Sequence, residues 1–365
     1  MKVLVTGGAG FIGCHVSRAL LAEGYEVRVI DGFIDQVHGG MTSPDPVLKS
    51  VEIVRADIRD ADAVAQALQG TDHVIHLAAE VGVGQSMYEI DRYVGVNDLG
   101  TAVLLKSLLT HPVKRLVVAS SMSIYGEGLY ATADGAPVED AVRPADGGWD
   151  PRDAAGRTLV PLPTPEWKRP SLASVYAITK YAQERLCLNV GAAYGMQAVA
   201  LRMFNVFGAG QALSNPYTGV LAIFAARLLN GQPPMIFEDG QQQRDFVHVE
   251  DVARAFVLAL EAPLAAGCVF NIGSGARTTI EGVAQTLAQA MGRPDLQPEF
   301  LHKARAGDIR HCFADLTLAR EKLGFAPRRT LADGVPELAD WLARQSATDK
   351  VLEARRELEA RGLVA

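Results

Sequence analysis

The chain has 365 residues, 21% charged and 48% hydrophobic, with a formal net charge of −7. This excludes a largely disordered chain and leaves ample material for one large domain or two. Lys and Arg are dispersed along an acidic chain, which excludes a nucleic-acid footprint, and no apolar run approaches the ~20 residues that cross a bilayer.

Met1 to Thr6 is a short, β-rich apolar run ending in Gly7-Gly8-Ala9-Gly10-Phe11-Ile12-Gly13. A helix is predicted from about Phe11 to Gly24, and the next strand, Glu26 to Ile30, ends on Asp31. Glycines 7, 10 and 13 let the backbone turn, approach a pyrophosphate and pack helix on strand. The anion then meets the free N–H groups around Phe11 and Ile12 at the helix start. Asp31 suits both hydroxyls of a ribose and repels a 2′-phosphate, and no Arg follows it, so NAD is expected over NADP. A lone glycine loop is weak; strand, loop, helix, strand and acid in this order are not.

Further strands are predicted at Val51 to Arg55, His73 to Leu77 and Arg115 to Ala119. Asp57 and Ile58 follow the first, where an adenine edge is read. Leu77, Ala78 and Ala79 follow the second, small enough for backbone contact with the cofactor. Asn97 lies at the start of a helix from Val96 to Leu109 and is counted with the cofactor residues. His73 and His76 point to opposite faces of one strand, which argues against a shared metal. This alternation implies an α/β fold, a Rossmann-type doubly wound parallel sheet.

Arg115 to Ala119 runs into Ser120-Ser121-Met122-Ser123-Ile124-Tyr125-Gly126, hydroxyls at the strand end where open α/β sheets bind ligands. Ser171 to Tyr194 reads as a helix, with Tyr176 and Lys180 one turn apart on one face. An ammonium ~4 Å from a phenol, at an effective dielectric of ~20, favours phenolate by roughly 4 kcal/mol, or ~3 pK units. Tyr176 is thereby expected to serve as a general acid/base near neutrality. Cys14, Cys187, Cys268 and Cys312 form no C-x-x-C pair and read as reduced thiols of a cytoplasmic protein, not as a metal site.

With these come Thr6 to Gly13, His76-Leu77-Ala78-Ala79, Tyr176-Ala177-Ile178-Thr179-Lys180, Arg202 to Gly208 and Arg244 to Val252. Together with Ser120 to Gly126 they resemble the extended short-chain dehydrogenase/reductase superfamily, in its nucleotide-sugar branch, over roughly residues 1–325. The resemblance implies that Ser121, Tyr176 and Lys180 do the chemistry. It also implies that Ser120, Tyr176 and Lys180 contact NAD, and that the partner is a nucleotide-diphosphate sugar. Sugar dehydratases of that branch carry acids directly after the strand-end hydroxyl. Here Met122 and Ser123 stand there, so dehydration lacks its base. The segments Ser121 to Gly128 and Gly210 to Val220 are similar to 4-epimerases that interconvert dTDP-L-rhamnose and dTDP-6-deoxy-L-talose. A UDP-sugar 4-epimerase, a 4-ketoreductase and a non-catalytic NAD-binding sensor are the competing readings.

After Met203 the chain is expected to leave the sheet. Asn205 and Asn215 suit a wall around a polar ligand, Arg244 suits a diphosphate by bidentate hydrogen bonding, and Gln243 beside it is counted with the substrate residues. By resemblance Arg305 forms a second phosphate clamp and Asp308 a ribose ligand, with Ser121 and Ser123 touching the sugar. The domain reading is 1–203 for NAD, with 241–264 returning to it. The segments 204–240 and 265–330 form a smaller, sequence-interleaved α/β substrate domain, and 331–365 form surface-covering C-terminal helices. The aperiodic insert 127–170 is read as a lid or interface segment beside the sugar. Helices 96–109 and 171–194 would pair with their copies in a homodimer, as in related enzymes.

Overall fold

The computed structural model describes residues 1–39, 45–144 and 148–364. At its centre β1 (Lys2–Thr6) lies between β2 (Glu26–Asp31) and β4 (His73–His76), with β3 (Glu52–Arg55) beyond β2. On the other side β5 (Arg115–Ser121) follows β4, then the strands Gln197–Met203 and Val269–Ile272. All seven strands pair in parallel, and the chain changes direction across the sheet at β1. A crevice therefore opens at the carboxyl ends of β1 and β4.

Apart from the edge strand β3, whose residues are half-buried or exposed, the strands are buried on both faces, which is why they read as near-continuous apolar runs. Side chains still alternate. Val3 and Val5 join α1 (Phe11–Ala22) and the helix Val249–Glu261 in one core. Leu4 joins the helices Ala61–Leu68, Gly100–Leu108 and Val175–Ala193 in another. The helix that carries Tyr176 begins at Val175, later than predicted, because Ser174 caps it by accepting from the Ala177 N–H at 3.1 Å.

A third core forms the second lobe, from the helices Val220–Leu229, Ile280–Ala290 and Leu331–Leu342 around Phe207 and Phe246. Three boundaries differ from the sequence reading. Val269–Ile272, assigned to the substrate domain, is the edge strand of the central sheet. Leu331–Leu342 is not a surface cover, because Val335, Leu338 and Leu342 are core residues. The insert has its own three-stranded antiparallel sheet, Leu129–Ala131 between Pro137–Val138 and Val160–Leu162. Strands of two or three residues are too short to show a period.

Behind the strand ends, Arg202 forks onto Glu184 at 2.7 and 2.9 Å, and Ser120 donates to the same carboxylate at 2.7 Å. Both side chains are almost fully buried, so the charge pairing and its hydrogen bonds must offset the cost of desolvating both ions. Glu184→Ala leaves the guanidinium uncompensated and is expected to cost about 3–5 kcal/mol, read as a lower urea midpoint. An unchanged midpoint would mean that Arg202 finds water or another acceptor.

Candidate active site

The crevice continues into one cavity of about 850 Å³ between the sheet and the second lobe. Gly7, Gly10, Phe11, Ile12 and Gly13 form its floor, with Asp31, Asp57, Ile58, Leu77, Ala78 and Ala79 along one side. Gly7 has φ +66°, and a Cβ there would sit 2.8 Å from the Ala78 nitrogen. Only glycine lets the two loops close on each other. The Asp31 carboxylate accepts from the Ala9 N–H at 3.0 Å and the Phe33 N–H at 2.8 Å, so it also shapes the glycine loop.

Ser121, Ser123, Tyr176 and Lys180 face the same cavity. The Tyr176 N–H donates to Ser86 Oγ at 3.0 Å, and the Tyr93 ring meets the Tyr176 ring edge-on at 6.5 Å. Ser121 Oγ accepts from the Ser123 N–H at 3.2 Å and the Ser123 hydroxyl at 2.9 Å. With both lone pairs engaged, the Ser121 O–H is the donor left for the phenol side. Burial raises the Tyr176 phenol above its ordinary range, and the hydrogen bond with Ser121 partly offsets it. Lys180 does not lower it as the spacing predicts. Its ammonium instead donates to Gln183 Oε1 at 2.7 Å, and burial pushes Lys180 itself down to about 8.

Three predicted site residues are not on the cavity wall. Asn97 is fully buried and pins the loop after β4, accepting from the Glu80 N–H at 2.7 Å and donating to Glu80 O and Thr179 Oγ1. Ser120 points to Glu184, because successive strand side chains face opposite ways. Gln243 is turned away for the same reason, and its neighbour Gln242 lines the cavity. Arg244 does reach the cavity, with its donors on the carbonyls of Gln243, Ile309 and Arg310. Arg305 forks onto Asp308 at 2.9 and 3.0 Å, both on the wall.

Asn205 and Asn215 line the opposite wall. Asn205 Oδ1 is buried without a partner among the described residues, as are Oε1 of Gln211 and Gln242 on the same cavity. The last two escaped the sequence reading, as did Val81 to Gly84, Met235 to Phe237 and the helix Val351–Ala360. None of the insert's described residues lines the cavity, which corrects its reading as a lid. Its Glu127 instead accepts from the backbone N–H groups of Arg310 and His311, and its Arg143 donates to Asp308 O at 3.1 Å. The insert braces the segment behind Arg305 and Asp308 from outside.

Residues 3–144 and 160–273 match the NAD dependent epimerase/dehydratase family. The chain belongs to this family. NAD is accordingly its cofactor, and the glycine cradle at Gly7 with Asp31 beside it fits that dinucleotide. It is 37% identical to a dTDP-L-rhamnose 4-epimerase of Burkholderia thailandensis, covering 94% of this chain and 95% of that one. It is 33% identical to a UDP-glucose 4-epimerase of Mycolicibacterium smegmatis, covering 95% and 100%. A crystal structure of the Thermotoga maritima UDP-glucose 4-epimerase with UDP-glucose superposes at a TM-score of 0.75, with 31% identity and 94% and 99% coverage. Among the described residues no helix is long and apolar enough to cross a membrane.

Lys180 gives a pH signature in the NAD-free protein. Between about 8 and 10.5 the unfolded chain holds the Lys180 proton and the folded chain does not, so this group adds stability as pH rises. Lys180→Met should flatten the rise of the urea midpoint across that window relative to wild type. Equal slopes would show that Lys180 keeps its proton in the folded state.

Proposed function

We propose that the protein is a nucleotide-sugar 4-epimerase that inverts C4 of a dTDP-6-deoxyhexose, interconverting dTDP-L-rhamnose and dTDP-6-deoxy-L-talose. The observation that carries this reading is the Ser121–Tyr176 pair opening onto the same cavity as the glycine loop. When bound, NAD would supply reversible hydride acceptance at C4, and Gly7, Gly10, Gly13, Asp31, Asp57, Ile58 and Leu77 to Ala79 would hold it.

Tyr176 takes the proton of the sugar 4-hydroxyl and returns it to the epimeric alcohol. Ser121 donates its O–H to the reacting oxygen and stabilises the charge that develops there. With NAD bound, Lys180 would help hold the cofactor, and its positive charge one helical turn from Tyr176 would favour the phenolate. The 4-keto sugar turns over between the two half-reactions while Arg244, Arg305 and Asp308 keep its nucleotide end in place. Met122 and Ser123, where an acid would be needed, leave the proton beside the ketone untouched, so the cycle ends in epimerisation and not in loss of water.

The sugar assignment is supported by similarity to the Burkholderia enzyme. Purified protein given dTDP-L-rhamnose without added cofactor should yield a second sugar differing at C4, seen in its proton spectrum. Conversion of UDP-glucose alone would move the assignment to the UDP-sugar epimerases, and a strict need for added NADPH would make it a reductase. Tyr176→Phe should keep its NAD and lose about 10²–10⁴ in kcat, the usual worth of a general acid/base. A near-wild-type rate would remove Tyr176 from the chemistry.

The helix faces at 90–108 and 175–193 expose Ile90, Val94, Leu99, Ile178 and Leu186, which supports a homodimer through them. The double variant Leu99→Asp, Ile178→Asp should halve the mass measured by light scattering. An unchanged mass would place the contact elsewhere.

A further inference from the structure

Residues 351–364 do not merely cover the surface. The helix Val351–Ala360 turns Val351, Ala354, Arg355 and Leu358 into the cavity, and both lobes hold it. On the first lobe the Leu358 methyl groups lie 3.4 Å from where a Cβ on Gly84 would stand, and the Arg361 guanidinium lies 4.4 Å over the Tyr88 ring. On the second, Lys303 pairs with Glu359 at 3.1 Å and the Ala306 N–H donates to Leu363 O at 2.9 Å. An antiparallel bridge joins Val364 to Arg305 itself. The segment is therefore tied to the loop that carries Arg305 and Asp308.

Charge on the wall is unevenly matched. Arg59 is paired with Asp57, Arg92 with Glu80 and Glu89, and Arg305 with Asp308. Arg244 rests on carbonyls. Arg355 spends only its Nε, on Glu359 Oε1 at 3.0 Å, and that carboxylate is shared with Lys303. One anion thus meets two cations, and the Arg355 Nη groups have no hydrogen-bond partner among the described residues. Half-buried, pointing into a cavity and carrying surplus charge, this guanidinium is arranged for an anionic ligand.

We infer that Arg355 is a further ligand of the substrate's diphosphate, delivered by a strap, residues 351–364, that closes the cavity across both lobes. The inference rests on the reading that the cavity takes a nucleoside-diphosphate sugar. The cofactor's own pyrophosphate would be served by the glycine loop, whereas the strap is bonded to the Arg305 loop. Arg355 therefore acts on substrate and not on NAD.

The test is a calorimetric titration of the NAD-loaded full-length protein with dTDP and with UDP. Arg355→Ala should weaken whichever diphosphate wild type binds by about tenfold or more, the worth of a charge-assisted hydrogen bond. NAD content and thermal midpoint should stay at wild-type values, Arg355→Lys should recover part of the affinity, and Arg356→Ala, on the exposed face, should change nothing. A diphosphate affinity within twofold of wild type in Arg355→Ala overturns the proposal. So does a loss accompanied by lower NAD content and midpoint, which would make the strap structural only. The titration involves no turnover, so the two readings fail separately. Arg355-dependent diphosphate binding without conversion of any nucleotide sugar would overturn the epimerase reading alone. A wild-type KM for the sugar nucleotide in Arg355→Ala would overturn the strap alone.

Discussion

A buried ammonium is the constraint on which the rest of this site depends. Lys180 is almost wholly removed from water, and an unsatisfied charge there would be prohibitively costly. Gln183 accepts from it, and the Gln183 amide in turn donates to Thr101 Oγ1 at 2.9 Å. His76 bridges Thr101 and Thr6 at 2.9 and 2.7 Å, and the Ala78 N–H donates to Thr6 Oγ1 at 3.1 Å. Burial pushes His76 down to about 3, so it stays neutral and bonds through both ring nitrogens without adding a second cation. The chain of bonds runs from the helix that carries Tyr176 and Lys180 to the last residue of β1, directly before the glycine loop. The cofactor floor and Lys180 are thereby set by one polar network.

The same economy governs the outer wall. The two lobes have separate apolar cores, and polar groups help hold them in register at their seam. Arg310 is fully buried and forks onto Asp239 at 2.6 and 3.0 Å while reaching Asp150 at 2.7 Å. Arg143 of the insert meets Glu127 and Glu238 in the same cluster. These ion pairs fix the segment 308–311, and through it the carbonyls on which Arg244 rests. An insert whose described residues do not line the cavity still helps decide where a cavity-lining arginine points, because its Glu127 carboxylate holds that backbone.

The periodic and the small were legible in the residues. Gly7, Gly10, Gly13 and Asp31 could be placed because a turn, a close approach and an acid at a strand end leave few alternatives. Tyr176 and Lys180 could be paired because a helix repeats every 3.6 residues. Asn97, Ser120 and Gln243 stand off the cavity wall by one step of geometry. Each lies within one residue of a true wall position, Val96, Ser121 and Gln242 or Arg244, and the direction of a single side chain is set by the register of its element. That the Lys180 ammonium ends on Gln183 was not legible, because the spacing says how far apart two residues start and not where a four-carbon stem ends.

The residues alone therefore determined the parallel sheet and the dinucleotide floor, since these follow from local pattern and strand order. Tertiary structure alone decided that Val269–Ile272 completes the sheet, that the insert braces from outside, and that residues 351–364 wall the cavity. The physical reason is sequence distance: such contacts join residues far apart in the chain. They are chosen by which buried groups must find a partner once the two lobes meet, and no local period records that choice.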